Sequence, residues 1–169
     1  MNPIIQSDQL ILKKTQRNDL AFVLRVENEN TPFIDSWTRD QHIHTMESID
    51  MEHLIIQSVS TGKAVGYMIM TDLHNPHGSY YLKRIVVDEK RKGFGKEALR
   101  LLKAWCFNEL QAHRLYLDVK EFNKRAQKLY DQEGFSIEGI ARECRKEGDQ
   151  YISLVSMSIL KQEYKEEHQ

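Results

Sequence analysis

The sequence predicts a mixed α/β fold, of the α+β kind, around a partly antiparallel sheet. Helical and strand-like segments alternate through most of the 169 residues, and two strand-like segments follow each other directly near the C-terminus. Hydrophobic residues make up 40% of the chain, which is enough to bury one sizeable core. Because no repeat and no Gly/Pro-rich linker divides the chain, we expect a single domain over residues 1–169.

The first half of the chain predicts two helical regions and three strands. Apolar residues at 10–12 predict a strand, and the helical spacing of the apolar residues after Asn18-Asp19 predicts a helix. A second helical region is expected over about 37–51. Strands follow at 53–58 and 63–71, joined by a hairpin-like turn at Thr61-Gly62.

The second half of the chain has a more regular pattern. An apolar strand at 80–87 ends in a charged, glycine-containing loop, and a strongly amphipathic helix follows. One face of that helix carries Ala98, Leu101, Leu102, Trp105 and Cys106. The remaining predicted elements are a strand at 114–119, a helix at 123–133 and a final strand pair at 136–145 and 151–160.

Composition argues against several classes of protein. The net charge of −1 disfavours generic binding to nucleic acid or to an anionic membrane. No apolar run approaches the roughly 20 residues that span a bilayer, and the N-terminus lacks a signal-peptide core, so we expect a soluble, cytoplasmic protein. Cys106 and Cys144 lack metal-ligand spacing, so we predict no metal site and expect two packed thiols.

The charges are unevenly distributed along the chain. Over 83–103, eight basic residues outnumber three acidic ones, whereas over 27–52 seven acidic residues accompany one base, Arg39. We therefore expect the first stretch to meet an anion. The second is expected to attract a cation such as a polyamine, an aminoglycoside-like amine or a basic peptide N-terminus.

The loop from Lys90 to Lys96 lies between a strand and a helix. Unpaired backbone N–H groups and the positive end of the helix dipole favour a phosphate at such a place, and Gly93 and Gly95 let the backbone approach it. A turn with solvated lysines remains an alternative. A P-loop is disfavoured because Glu97, rather than Ser or Thr, follows Lys96.

A dinucleotide-binding fingerprint is a closer rival for this loop. Residues 93–98 formally satisfy G-x-G-x-x-A, and Asp118 stands about where a ribose-binding acid is expected. Two features disfavour this interpretation. Five polar residues at 88–92 separate the apolar strand from Gly93, and only 76 residues follow that glycine.

A second motif covers residues 123–135. Each of its positions has a structural explanation: an N-cap at Asn123, a shared helix face, a left-handed position at Gly134 and a packing role for Phe135. The shared face consists of Ala126, Leu129 and Tyr130. On this interpretation alone, Tyr130 is a core aromatic residue with a satisfied hydroxyl.

Together the two motifs resemble the GNAT superfamily of N-acetyltransferases. The family's acetyl-CoA loop reads Gln/Arg-x-x-Gly-x-Gly/Ala, which residues 90–95 match with Lys90 in the first position. The second motif looks like the family's Asn-x-x-Ala-x-x-Leu-Tyr-x-x-x-Gly-Phe. Both ends of the chain are similar to the ribosomal-protein acetyltransferase (RimJ/RimL-like) branch, which commonly carries Asp in place of Ser153.

This resemblance implies a fold and an activity. The GNAT fold is a central, mostly antiparallel, splayed β-sheet flanked by about four helices. The implied enzyme transfers the acetyl group of acetyl-CoA to a primary amine, either of a small molecule such as a polyamine or of a protein N-terminus, by direct attack in a ternary complex. It also implies a homodimer. The alternative is a non-catalytic acyl-CoA sensor or interaction module.

The resemblance also assigns candidate site residues. Val87 is expected to donate its N–H to the oxyanion, and the Tyr130 hydroxyl to lie beside the thioester sulfur. The implied cofactor-binding residues are Ile85, Val86, Val87, Lys90, Arg91, Lys92, Gly93, Phe94, Gly95, Lys96, Asn123 and Tyr130.

No motif places the general base or the acceptor pocket. Glu27 is our first candidate for the base, followed by His42 or His44, with a solvated surface position as the favoured alternative for each. The aromatic candidates for an acceptor pocket are Phe33, Trp37, Tyr67 and Tyr81, with a core position as the alternative.

Overall fold

A computed structural model describes residues 2–88 and 92–168, which form eight strands and five α-helices. In chain order these are β1 (Ile5–Gln6), β2 (Leu10–Lys14), α1 (Leu20–Asn28), α2 (Arg39–Glu47), β3 (Glu52–Ser58), β4 (Ala64–Thr71), β5 (Ser79–Val87), α3 (Phe94–Ala104), β6 (Arg114–Lys120), α4 (Lys124–Gln132), β7 (Ser136–Glu147), β8 (Gln150–Leu160) and α5 (Lys161–Glu167). The mixed α/β prediction is confirmed, with β1 and α5 as the two elements that the sequence pattern did not indicate.

The strands form one open sheet in the order β1-β2-β3-β4-β5-β6-β8-β7. β5 and β6 run parallel, and every other pairing in the described sheet is antiparallel. The parallel ladder is short, because it joins residues 79–81 to residues 114–116 and then stops. Beyond Tyr81 and Tyr116 the two strands separate and leave a fork in the sheet, as the resemblance implied. A doubly wound dinucleotide domain, which needs a parallel sheet, is therefore excluded.

A β-bulge in β5 redirects its side chains towards different layers. Met70 of β4 pairs with Leu82 and Ile69 pairs with Arg84, so Lys83 is the extra residue. The alternation of side chains shifts by one position there. Leu82 therefore packs in the larger core with α3, whereas Val86 packs in the smaller core with α1. Arg84 shares the face of Val86.

Helices cover both faces of the sheet. The larger core lies between the sheet and α3, and includes Leu99, Leu102 and Leu115. The smaller core lies between the opposite face and α1, and includes Val23, Val26 and Tyr67. In the part of the chain that the structure describes, no helix is both long enough and apolar enough to cross a membrane.

The two cysteines differ in environment. Cys106 is buried, as predicted, and burial raises the pKa of its thiol. The expectation of a packed thiol at Cys144 is wrong, because Cys144 is exposed on β7. β7 is one of the two edge strands and is open to solvent along most of its length, so its apolar periodicity does not correspond to a buried face.

Candidate active site

A cavity of about 790 Å³ opens at the fork between β5 and β6. That size is typical of a small-molecule site. Its two parts differ in the elements that line them. The helix half consists of Gly93, Phe94, Gly95, Lys96, Asn123, Ala126, Leu129 and Tyr130. The aromatic half consists of Phe33, Asp35, Trp37, Tyr81, Arg84, Asp118, Lys120 and Arg145.

The helix half begins where α3 begins. Gly93 precedes the helix with a φ of 76°, in the left-handed region that favours glycine. Residues 93–96 line the cavity, so the unpaired N–H groups of the first turn and the positive dipole end lie at its wall. Lys92 is exposed and is not part of that wall. The candidates Lys90 and Arg91 lie outside the described residues.

α4 supplies the other wall of the helix half. Asn123 caps the helix, because its Oδ1 accepts a hydrogen bond from the Ala126 N–H at 3.2 Å. Gly134 takes a φ of 91° just beyond the helix, as predicted. Phe135 then packs on Tyr130, with 5.8 Å between ring centroids. Tyr130 is buried at the cavity wall, and burial raises the pKa of its hydroxyl.

The end of β5 completes the connection between the two halves. Ile85, Val86 and Val87 line the cavity along the open edge of the fork. The structure therefore brings these three residues together with residues 93–96, Asn123 and Tyr130 around one space.

Glu27 lies beneath the aromatic half and does not line the cavity. Its side chain is 1% exposed, so the expectation of a surface position for Glu27 is wrong. Arg84 Nη1 donates to its carboxylate at 2.6 Å, and His42 Nε2 lies 3.1 Å from the same oxygen. The Tyr67 hydroxyl and the Trp37 backbone N–H also donate to it. Burial favours the neutral acid, but these donors and the charge of Arg84 hold the pKa of Glu27 below its usual range.

A buried polar chain continues from Glu27 through two histidines. His42 Nδ1 lies 3.0 Å from His53 Nε2, and His53 Nδ1 lies 2.8 Å from Thr15 Oγ1. Burial, together with the charges at His42 and Arg84, lowers the pKa of His53 to about 3. The buried polar chain therefore consists of Thr15, His53, His42 and Glu27. The surface position expected for His42 is wrong, whereas His44 is exposed on α2.

Three of the four aromatic candidates line the cavity, namely Phe33, Trp37 and Tyr81. Tyr67 is instead fully buried, where its ring stacks on His53 at 5.5 Å. Arg84, which sequence reasoning missed, lies with its guanidinium carbon 4.5 Å from the Trp37 ring. One feature of the sequence could have indicated Arg84, namely its place within an apolar strand. A charged side chain that faces inward there needs a partner.

Asp35 forms ion pairs with basic residues of β6 and β7. It pairs with Lys120 at 3.0 Å and with Arg145. Lys120 also pairs with Glu147 at 2.7 Å. Burial favours the neutral form of Asp35, but Arg145 and Lys120 hold its pKa below the usual range. The sequence motifs pointed to neither Lys120 nor Arg145, because their partners are distant in the chain.

Asp118 also lines the cavity. Its expected role as a ribose-binding acid is excluded, because the fold is not a dinucleotide-binding domain. Its side chain is open, and its Oδ2 accepts a hydrogen bond from the Tyr81 hydroxyl at 3.0 Å. No group of His, Cys, Asp and Glu suited to a metal ion occurs within residues 2–88 and 92–168.

Comparison with known proteins shows where this fold and these motifs occur. A family model described as the acetyltransferase (GNAT) family matches residues 20–135. The chain is 26% identical over 166 residues to spermidine N(1)-acetyltransferase of Escherichia coli K12, which covers 93% of this chain and 89% of that protein. It is 24% identical to the Vibrio cholerae spermidine N(1)-acetyltransferase, covering 94% and 96%. A crystal structure of spermidine N-acetyltransferase from Vibrio cholerae with CoA and spermine has the same fold, with a TM-score of 0.83, 22% identity and coverage of 94% and 99%.

Proposed function

This chain belongs to the acetyltransferase (GNAT) family and is an acetyl-CoA-dependent N-acetyltransferase, and we propose that its acceptor is a primary amine of a polyamine such as spermidine. The proposal rests on the aromatic half of the cavity, which is lined by an open carboxylate, Asp118, and by three aromatic residues, Phe33, Trp37 and Tyr81. Aromatic faces contact both alkyl chains and ammonium groups, and a carboxylate binds an ammonium group. The similar proteins named above are spermidine acetyltransferases.

The acidic stretch over 27–52 contributes less to this site than its charge suggested. Of its seven acidic residues, Asp35 lines the cavity, and Lys120 and Arg145 neutralise it. Glu27 is buried against Arg84. The attraction for a cationic acceptor is therefore assigned to Asp118 rather than to the stretch as a whole.

The helix half is the proposed site for the acetyl donor. The N–H groups at the start of α3 bind the pyrophosphate, and the backbone of residues 85–87 bonds the pantetheine arm. The family resemblance implies that Lys90, Arg91 and Lys92 of the same loop contribute positive charge to acetyl-CoA binding and that Asn123 contributes a polar contact. Substitution at these positions is expected to weaken acetyl-CoA binding.

Acetyl transfer needs a stabilised oxyanion and a proton for the leaving thiolate. The acceptor nitrogen attacks the thioester carbon, the C–N bond forms, and the C–S bond breaks. The Val87 N–H donates to the oxyanion. From reference pKa values, full proton transfer from tyrosine to a thiolate is uphill by about 2 kcal/mol. Burial raises the pKa of Tyr130 further, so Tyr130 acts by donating a hydrogen bond that strengthens as the thiolate develops.

Glu27 is better suited to positioning than to proton transfer. Its carboxylate is occupied by donors from four residues and has no opening to the cavity. Through those contacts it fixes Arg84 and the Trp37 backbone, which do line the cavity. The proton that the ammonium group loses before attack passes to water in the open cavity.

Thiol release by the purified 169-residue chain with acetyl-CoA tests which acceptor is used. We expect release above the hydrolysis background with spermidine and spermine, and little with peptides of varied N-terminal sequence. Release with peptides alone would refute the polyamine acceptor and support the ribosomal-protein acetyltransferase branch. Tight acetyl-CoA binding with no release from any amine would favour the acyl-CoA sensor.

A further inference from the structure

Two tyrosine–aspartate pairs lie side by side where the β5–β6 ladder ends. The Tyr81 hydroxyl donates to Asp118 Oδ2 at 3.0 Å, and the Tyr116 hydroxyl donates to Asp72 Oδ2 at 3.0 Å. The two rings are tilted against each other, with 4.8 Å between centroids. The pairs have the same chemistry, so a difference in their function has to come from their surroundings.

The surroundings differ in access to the cavity. Tyr81 and Asp118 line it, whereas Tyr116 and Asp72 do not. Tyr116 pairs with Tyr81 in the last step of the parallel ladder, and Asp118 follows two residues later on the same face of β6. The Asp118 carboxylate therefore stands inside the fork, beyond the point where β5 and β6 stop pairing.

The charge around Asp118 also distinguishes it from the other acid in the cavity. Among the described residues no cation forms an ion pair with Asp118, whereas Asp35 pairs with Lys120 and Arg145. The basic residues of β6 are paired elsewhere: Lys120 pairs with Asp35 and Glu147, and Arg114 stacks over Tyr116 at 4.2 Å and pairs with Glu138. The Tyr81 hydroxyl stays protonated because burial and the neighbouring carboxylate raise its pKa. One oxygen of Asp118 is thus held by a fixed donor.

We propose that Asp118, oriented by Tyr81, binds an ammonium group of the acceptor that is not the one acetylated. The inference rests on the proposed polyamine acceptor and specifies the residue that selects it. An ammonium group has three donors and needs acceptors in a partly desolvated site. The amine that attacks must lose its proton, and a carboxylate beside it would hold that proton in place. Asp118 therefore suits the amine that stays charged.

The test compares Asp118→Asn with Asp72→Asn in steady-state kinetics with spermidine. Asn keeps the shape and still accepts from the tyrosine hydroxyl, so each variant removes a single charge. Asp118→Asn should raise the spermidine KM about tenfold or more with kcat within about twofold, the loss expected for a charged hydrogen bond. Asp72→Asn should leave both constants within about twofold. Residue 72 has a φ of 64°, a conformation that Asn adopts readily.

Two further measurements separate the possible outcomes. With butylamine, which has no second amine, the KM should respond to Asp118→Asn by less than about twofold. Tyr81→Phe, which leaves the charge but removes its fixed donor, should raise the spermidine KM by only about threefold. Acetyl-CoA affinity and the urea unfolding midpoint of each variant report whether it is folded.

An unchanged spermidine KM in folded Asp118→Asn would overturn the assignment while leaving the polyamine acceptor in place. An equal fall in kcat for spermidine and butylamine, with a shifted pH profile, would also overturn it, because Asp118 would then be a proton acceptor. If the unsubstituted enzyme acetylates peptides and not spermidine, the proposed function fails and this inference fails with it.

Discussion

The two halves of the cavity are built in different ways. The helix half comes from two short segments whose key contacts are local, such as the cap of Asn123 on the Ala126 N–H three residues later. The aromatic half is assembled from partners far apart in sequence. Arg84 and Glu27 are separated by 57 positions, and Arg145 and Asp35 by 110. Local features such as helix caps can be predicted from a sequence, whereas ion pairs between distant residues depend on the complete fold.

The two halves also handle charge differently. The helix half presents backbone N–H groups and Lys96 to the cavity, an arrangement that favours an anion. In the aromatic half, Arg84 and Lys120 line the cavity but are paired with Glu27 and Asp35. Those pairs reduce the positive charge that the aromatic half presents to a cationic acceptor, although Lys83 also lines the cavity, 5.7 Å from the Trp37 ring. Substitutions in the aromatic half should therefore change acceptor use or stability without changing acetyl-CoA binding.

Among the substitutions that test this difference between the two halves, removing the charge of Glu27 should have the largest effect. Glu27→Gln leaves the Arg84 guanidinium, which is 7% exposed, without its anion. Breaking a buried ion pair in this way destabilises a protein by about 3–5 kcal/mol. We expect a loss of that size in urea unfolding, together with a raised acceptor KM. Acetyl-CoA affinity, measured below the unfolding transition, should change by less than about twofold.

Glu29→Gln is the matched control for that experiment. Glu29 lies just beyond α1 in an exposed pair with Arg25, and exposed pairs contribute about 1 kcal/mol or less. If Glu27→Gln lost no more stability than Glu29→Gln, the buried carboxylate would not be the anchor of the aromatic half.

The second largest effect is expected from acid, which should lower the free energy of unfolding through the buried polar chain. Unfolded His53 binds a proton below about pH 6.5, whereas the folded residue does so near pH 3. Between these values the unfolded state holds more protons, so the free energy of unfolding falls as pH falls, by up to about 1.4 kcal/mol per pH unit. The lowered pKa of Glu27 acts in the same direction below pH 4.5, where an unfolded glutamate binds a proton.

Urea unfolding across pH 3 to 7 measures this slope. His53→Gln should remove most of the part that begins near pH 6.5, since the titrating imidazole is gone. His44→Gln, at an exposed position in α2, should retain the original slope. Identical slopes for His53→Gln and the unsubstituted chain would show that His53 does not titrate during unfolding.

The contrast between the halves also shows what a sequence reveals. The backbone roles of Gly93, Asn123 and Gly134 were predictable because each depends on a few neighbouring dihedrals and one hydrogen bond. The face of the sheet on which Arg84 lies was not predictable. A strict two-residue alternation would put Arg84 on the same face as Leu82, and the bulge at Lys83 reverses that. Bulges depend on strand partners, so periodicity along one strand does not locate them.

In the helix half, Tyr130→Phe should reduce turnover about tenfold or more while acetyl-CoA affinity stays within about twofold. The phenol lies at the cavity wall, and its loss removes only the hydrogen bond to the developing thiolate. The rate of thiol release measures turnover, and equilibrium binding measures acetyl-CoA affinity. Tyr80→Phe is the control, since Tyr80 is buried and donates to the Leu110 carbonyl rather than lining the cavity. Equal turnover in both variants would remove Tyr130 from the mechanism.

The smallest expected effect tests the start of α3. Gly93→Ala forces a side chain into the left-handed region, at a cost of about 1 to 2 kcal/mol. The chain can relieve that strain by moving the first-turn N–H groups, so we expect acetyl-CoA affinity to fall severalfold. Gly148→Ala provides the same strain elsewhere: its φ is 60°, and like Gly93 it has open space where a Cβ would stand. Because Gly148 lies in the turn between β7 and β8, its substitution should lower stability by a similar amount and leave acetyl-CoA binding unchanged. An equal loss of affinity in both variants would mean that general destabilisation, and not the geometry at the start of α3, controls binding in the helix half.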